Sequence, residues 1–145
     1  MKVADMLKSK GSEIKSIEPD ATIKDLADRL RIEEIGALIV RSVNGEIVGI
    51  ISERDIVRGF ATYGAKLDKV RVSELMTKRV ITCSPDDQVS EIARTMTQRR
   101  IRHLPVCDAD NQVLGVVSIG DVLKSRVDEI KLEAAVLRDF AIAHR

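Results

Sequence analysis

Gly49-Ile50-Ile51-Ser52-Glu53-Arg54-Asp55 and Gly115-Val116-Val117-Ser118-Ile119-Gly120-Asp121 are one phrase written twice, 66 residues apart. The same offset carries Pro19-Asp20 onto Pro85-Asp86, Ala27 onto Ala93, Leu38 onto Leu104 and Val40 onto Val106. No gap is needed between Pro19–Val57 and Pro85–Leu123. Self-similarity at a fixed period defines the unit that has to fold, so every element is assigned against it. Two copies fill nearly all of the 145 residues and leave little room for any other machine.

Within the first copy, Ile23, Leu26, Ala27 and Leu30 fall at i, i+3, i+4 and i+7, which predicts an amphipathic helix over Thr22–Leu30. Thr22 and Asp25 have the spacing of a capping box. Ala37-Leu38-Ile39-Val40 is short, apolar and β-branched, hence a strand. Asn44-Gly45 predicts a type I′ hairpin turn into a partner strand, Ile47–Ile51, and Ser52 then opens a second helix. The second copy gives helix Val89–Met96, strand Leu104–Cys107, turn Asp110-Asn111, strand Val113–Val117 and a helix from Ser118. Glu13–Ile17 and Arg79–Cys83 are short strand candidates ahead of each copy, so the unit reads β-α-β-β-α. Val3–Leu7 is echoed by Val72–Met76, which gives each repeat a lead-in helix, and Tyr63–Val70 reads as a short polar linker. At roughly 60 residues a repeat is marginal alone, so the two are expected to pack together.

Composition narrows the function classes. With 44% hydrophobic and 32% charged residues the chain reads as soluble and globular. A net charge of +1 gives no electrostatic case for bulk nucleic-acid or membrane binding. Phe60, Tyr63 and Phe140 are the only aromatics, too few for a base-stacking platform. No apolar run approaches a membrane span or a signal peptide, and Cys83 and Cys107 read as reduced thiols, so a cytoplasmic protein is expected. From Asp121 to Arg145 the chain runs on without Gly or Pro. Leu123, Val127, Ile130, Ala134, Leu137 and Ala141 form a heptad-like stripe, either lying on its own domain or reaching a second subunit.

Candidate chemistry gathers where the paired strands end. Ser52-x-x-Asp55 and Ser118-x-x-Asp121 stabilise a helix start on any fold, with Ser as N-cap and the acid three residues on. The same junction presents free N–H groups to a phosphate, and the carboxylate beside them can accept both hydroxyls of a ribose. Arg102 and His103 lie in a basic run, Arg99–His103, that is either a solvated face or a set of phosphate ligands beside Ser118 and Asp121. Arg54 lies inside the first motif where the second has Gly120, and Gly36-Ala37 stands where the second repeat has Arg102-His103, so two sites would differ chemically. Catalysis finds little support, because neither cysteine has a partner at metal-site spacing and no glycine-rich phosphate loop is present.

These features together resemble a tandem pair of CBS domains, the Bateman module. The likeness rests on the two Gly-x-x-Ser-x-x-Asp closures, the element order, and Ile101-Arg102-His103-Leu104-Pro105-Val106 before the second hairpin. The resemblance implies a mixed α/β fold of two pseudo-symmetric repeats, with clefts that take adenosine-containing ligands such as AMP, ADP, ATP, NAD or S-adenosylmethionine. It also implies that Asp55 and Asp121 hold ribose hydroxyls, that Ser52 and Ser118 sit near phosphate, and that Arg54, Arg102 and His103 neutralise it. Adenine would lie among Ile17, Thr82, Ala37 and Leu104, with Pro105 in the same run. The first repeat departs from the fuller pattern at Gly36-Ala37, which makes its cleft weaker or differently selective.

The expectation is therefore a stand-alone, non-catalytic nucleotide sensor, homodimeric, cytoplasmic, without a catalytic cofactor and acting on a separate protein. Its bounds are residues 8–66 for repeat 1, 75–132 for repeat 2 and 133–145 for the C-terminal helix extension. The rival is an interaction module that works through its dimer surface and that helix.

Overall fold

The computed structural model describes residues 1–11 and 13–144. The first repeat contains β1 (Ser16–Ile17), α2 (Ile23–Glu33), β2 (Ala37–Arg41), β3 (Ile47–Ser52) and α3 (Glu53–Tyr63). The second contains α5 (Val89–Arg99), β4 (His103–Cys107), β5 (Val113–Ser118) and α6 (Ile119–Ala143). Short helices precede each repeat, α1 (Val3–Lys10) and α4 (Val72–Leu75). The α/β architecture anticipated from the repeat is present, down to its register. Ile17 pairs with Val40 in parallel, and Cys83 pairs with Val106 in the same way, as an isolated bridge. The expected strands are shorter than drawn, since Arg79, Val80 and Ile81 line a cleft instead of extending a ladder.

The capping box of α2 forms as its spacing predicts. The Asp25 amide donates to Thr22 Oγ1 at 3.1 Å, and the Thr22 amide donates to Asp25 Oδ2, also at 3.1 Å. That amide and the Thr22 hydroxyl hold the Asp25 carboxyl below its usual range.

The first hairpin turn differs from the type I′ expectation. Gly45 has a positive φ of 83° but Asn44 does not, and Ser42 accepts from the Gly45 amide while its own amide donates to Glu46. This is a three-residue loop closing on a left-handed residue with a bulge at Val40/Arg41. The second hairpin repeats it, with Asn111 at φ 61° in the place of Gly45. Asn-Gly is compatible with either turn, and the bulge decides between them.

The cores show an exchange that the linear repeat conceals. One cluster joins Ile17, Leu26, Leu38, Val40 and Ile51 with Leu67, Val70 and Val72, so the segment after α3 is not a free linker. It forms a 3-10 helix over Gly64–Lys69 and seals the first repeat. The other cluster joins Ile92, Met96, Leu104, Val106 and Val117 with Val3 and Met6. α1 thus crosses to the core of repeat 2, while α4 packs back on the core of repeat 1 that directly precedes it. Equivalent backbone bonds fix both arrangements: Val72 N–H to Ala21 O and Ser73 N–H to Pro19 O, against Val3 N–H to Asp87 O and Ala4 N–H to Pro85 O.

Those lead-in helices press on the hairpins at Gly49 and Gly115. A Cβ at Gly49 would sit 2.6 Å from Met76 Sδ, and one at Gly115 would sit 2.9 Å from Leu7 Cδ2. Such close approach excludes every residue but glycine unless a neighbour moves.

Candidate functional site in the cleft between the repeats

A cleft of about 600 Å³ opens between the β3–α3 junction of repeat 1 and the β4 entry of repeat 2. Such a volume is typical of small-molecule sites. Its walls include Ala37, Ser52, Arg54 and Asp55 from the first repeat and Arg102, His103 and Pro105 from the second. Val80 and Ile81 from the connecting segment also line it. The two halves meet closely, for a Cβ on Gly36 would lie 3.0 Å from Glu53 Oε1 and 3.7 Å from His103 Cε1.

The strand-to-helix junction shapes the first wall. Ser52 ends β3 in an extended conformation and caps α3. Its amide donates to Asp55 Oδ2 at 2.8 Å and its hydroxyl donates to the same oxygen at 3.2 Å. Asp55 has no ion-pair partner among the described residues, so its carboxylate faces the cleft without a fixed counter-charge. In the second wall, strand alternation decides which residues are available. His103 and Pro105 line the cleft, while Leu104 between them is 1% exposed in the core.

Arg102 and His103, expected beside Ser118 and Asp121, both line this cleft, and Asp121 and Lys10 also act on the His103 ring. His103 does pair with Ser118 in the β4–β5 register, yet its side chain lines the cleft that holds Ser52 and Asp55. Ile17 is buried in the first core, Thr82 is exposed, and neither they nor Leu104, Ser118 and Asp121 line this cavity. Cleft residues that the motif reading passed over are Arg58, Arg79, Arg99 and Arg100. The Arg99–His103 run was the only signal for the last two, and Arg79 lies outside any motif.

The resulting electrostatics are one-sided. Six arginines (Arg54, Arg58, Arg79, Arg99, Arg100 and Arg102) line the cleft against two carboxylates, Glu53 and Asp55. None of the six takes part in an ion pair among the described residues. His103 adds no charge at neutral pH, because burial, then the neighbouring Lys10, pulls its pKa below the ordinary 6.5. The excess of four positive charges calls for an anion.

The second Ser-x-x-Asp is occupied differently. Ser118 caps α6, accepting from the Asp121 amide at 3.1 Å, while its own amide donates to Asp121 Oδ2 at 2.8 Å. Lys10 Nζ also donates to that oxygen, at 2.6 Å. Burial pushes the Asp121 carboxyl upward, but the Lys10 ammonium and the Ser118 amide outweigh it and hold the pKa below normal. Both cysteines are buried. Burial, aided by Asp87 and Cys107, pushes the Cys83 thiol up to about 12, and burial raises Cys107 as well. No three His, Cys, Asp or Glu residues are grouped to hold a metal among the described residues. No described helix is long and apolar enough to cross a membrane.

Known proteins share this arrangement. The chain matches the CBS domain family twice, over residues 3–62 and 72–128. It is similar to the CBS-domain containing protein ATU1752 from Agrobacterium tumefaciens, at 36% identity and a TM-score of 0.84, covering 87% of this chain and 99% of that one. The CBS domain pair of MJ0100, solved with 5-methylthioadenosine and S-adenosyl-L-methionine, is 29% identical with a TM-score of 0.77, covering 90% of this chain and 98% of that one. The Arabidopsis thaliana CBS domain-containing protein CBSX3, mitochondrial, is 33% identical over 139 residues, which span 90% of this chain and 67% of that protein. By sequence and fold alike, the chain belongs to the CBS-domain family as a tandem pair.

Proposed function

We propose that this chain is a non-catalytic regulatory module that senses an adenosine nucleotide in the cleft between its repeats. In this reading Asp55 accepts the ribose hydroxyls and the arginines of both repeats take the phosphates. The base lies against the apolar wall of Ala37, Val80, Ile81 and Pro105. The uncompensated arginines beside Asp55 carry the proposal, since a diol acceptor next to a concentrated positive field suits a ribose phosphate and little else. The 5-methylthioadenosine bound by MJ0100 supports the adenosine half of the ligand. A ligand that touches both repeats favours the packing in which both walls are in reach, and this differential affinity is what passes a signal to a separate protein.

Charge separates the candidate ligands. Titration calorimetry with adenosine, AMP, ADP, ATP and NAD is expected to show affinity rising with phosphate number and weakening with added salt. S-adenosylmethionine, a cation, is expected to bind worse than ATP. Adenosine binding as tightly as ATP, or no ligand binding below millimolar concentration, would sink the reading.

A second surface supports assembly with another copy of the chain. Leu123, Val127, Ile130 and Leu137 on α6 are 48% to 68% exposed, although a single 25-residue helix carries them all. Repetition at 4 and 3 residues suits a supercoiled helical partner, and a second α6 matches it by construction. Ion pairs such as Arg126–Glu129 flank the stripe. Sedimentation velocity should find a dimer that Ile130→Glu/Leu137→Glu converts to monomer. A monomeric unmodified chain, or a dimeric double variant, contradicts this assembly. The interaction-module alternative places the function here and expects cleft substitutions to be silent.

A further inference from the structure

The two repeats treat one edge of their hairpins in opposite ways. In repeat 1, the outer edge of β3 at Ile50 is closed by backbone: Ile50 N–H donates to Thr77 O at 3.0 Å and Thr77 N–H donates to Ile50 O at 2.9 Å. Thr77 reaches that edge because α4 stops at Leu75 and the chain extends from Met76. In repeat 2 the equivalent edge residue is Val116, and its carbonyl accepts from the Lys10 ammonium at 2.6 Å. Lys10 arrives there because α1 continues to residue 10 and turns away only at Gly11, whose φ is 95°. One side chain stands in for a missing strand bridge.

The same ammonium reaches Asp121 Oδ2, also at 2.6 Å. The partner of Lys10 in the first half is Arg79, placed by the contacts that match Leu7–Gly115 with Met76–Gly49. Arg79 lines the open cleft and makes no ion pair among the described residues, so Asp55 remains available.

We propose that Lys10 is a latch that holds the second repeat's Ser118/Asp121 site closed, so that the chain takes nucleotide at Asp55 alone until the last turn of α1 moves. This rests on the reading of the Ser-x-x-Asp carboxylates as ribose acceptors. A diol that bonds both oxygens of a carboxylate must compete with the ammonium already held on Asp121 Oδ2. The pair is partly solvated, with side chains 39% and 24% exposed, so the latch is reversible. A phosphate arriving with the ribose offers Lys10 an alternative anion, which makes ligand concentration itself a means of release.

Equilibrium dialysis with labelled ATP counts the sites. At a nucleotide concentration that fills the first site but not one ten times weaker, the unmodified chain is expected to bind one nucleotide, and Lys10→Met, which keeps the alkyl length and removes the charge, two. The second site should tighten about tenfold, the effect of roughly 1.4 kcal/mol. Lys10→Arg, which retains the ion pair, should stay at one. Adding Asp121→Ala to Lys10→Met should return the count to one. Two sites in the unmodified chain, or one in Lys10→Met, overturns the latch and leaves the proposed function standing. No nucleotide in any of these proteins removes the proposed function, and the latch with it.

Discussion

Gly49→Ala is expected to cost about 3 kcal/mol of stability in urea unfolding, against about 1 kcal/mol for Gly115→Ala, within the usual range for overpacking a tight contact. The two glycines hold equivalent places in the repeat, so sequence alone predicts equal effects. Their neighbours differ. The new methyl at position 49 would meet Met76 Sδ at 2.6 Å and the Thr77 carbonyl oxygen at 2.9 Å. That carbonyl is fixed by its own bridge to Ile50 and cannot retreat without breaking it. At position 115 the obstruction is the end of the Leu7 side chain, which can change rotamer. Equal shifts in the two variants would mean that the Thr77 bridge is not the rigid element assumed.

Asp55→Ala is expected to weaken nucleotide binding about 100-fold, while Asp121→Ala leaves affinity at the first site unchanged. A carboxylate accepting two hydroxyls forms charge-assisted bonds, and losing them is worth about 2.7 kcal/mol, which corresponds to that factor. The substitution also removes the acceptor for the Ser52 amide at the start of α3, at a cost of about 1 kcal/mol to folding. A thermal melt therefore accompanies the titration, and Asp55→Asn, which keeps one acceptor, should fall between. Asp55→Ala that binds ATP as tightly as the unmodified protein, while remaining folded, would remove Asp55 from the ligand's reach.

How much of this was legible follows from the kind of signal each feature leaves. The capping box at Thr22–Asp25 and the helix at Val89 are local, written in the spacing of a few side chains, and they form as read. The Ser-x-x-Asp junctions are equally local and both serines sit at the N-cap, although only Ser118 accepts the amide three residues on. The cleft is not local. Arg102 and His103 belong to the second repeat in sequence but line a cavity with Ser52 and Asp55, because pseudo-symmetry turns equivalent ends toward each other. The turn at Asn44-Gly45 misled because the dipeptide tolerates two geometries and only the bulge beside it selects one. Lys10 left no trace at all. Its counterpart is Arg79, 69 residues on, whereas the repeat proper runs at 66, so the gapless comparison never sets them side by side.

The docking of α1 on the second core has a bearing on how the protein is made. Val3 and Met6 belong to the core completed by Val117 and Val122, which follow them far later in the order of synthesis. The first half is finished as soon as Val72 is available, whereas Val3 and Met6 stay unburied until Val117 and Val122 have been made. Birth order and burial order are thus reversed for α1. Contacts of such long sequence separation form slowly, which makes this apolar turn the stretch in greatest need of shelter before the chain is complete.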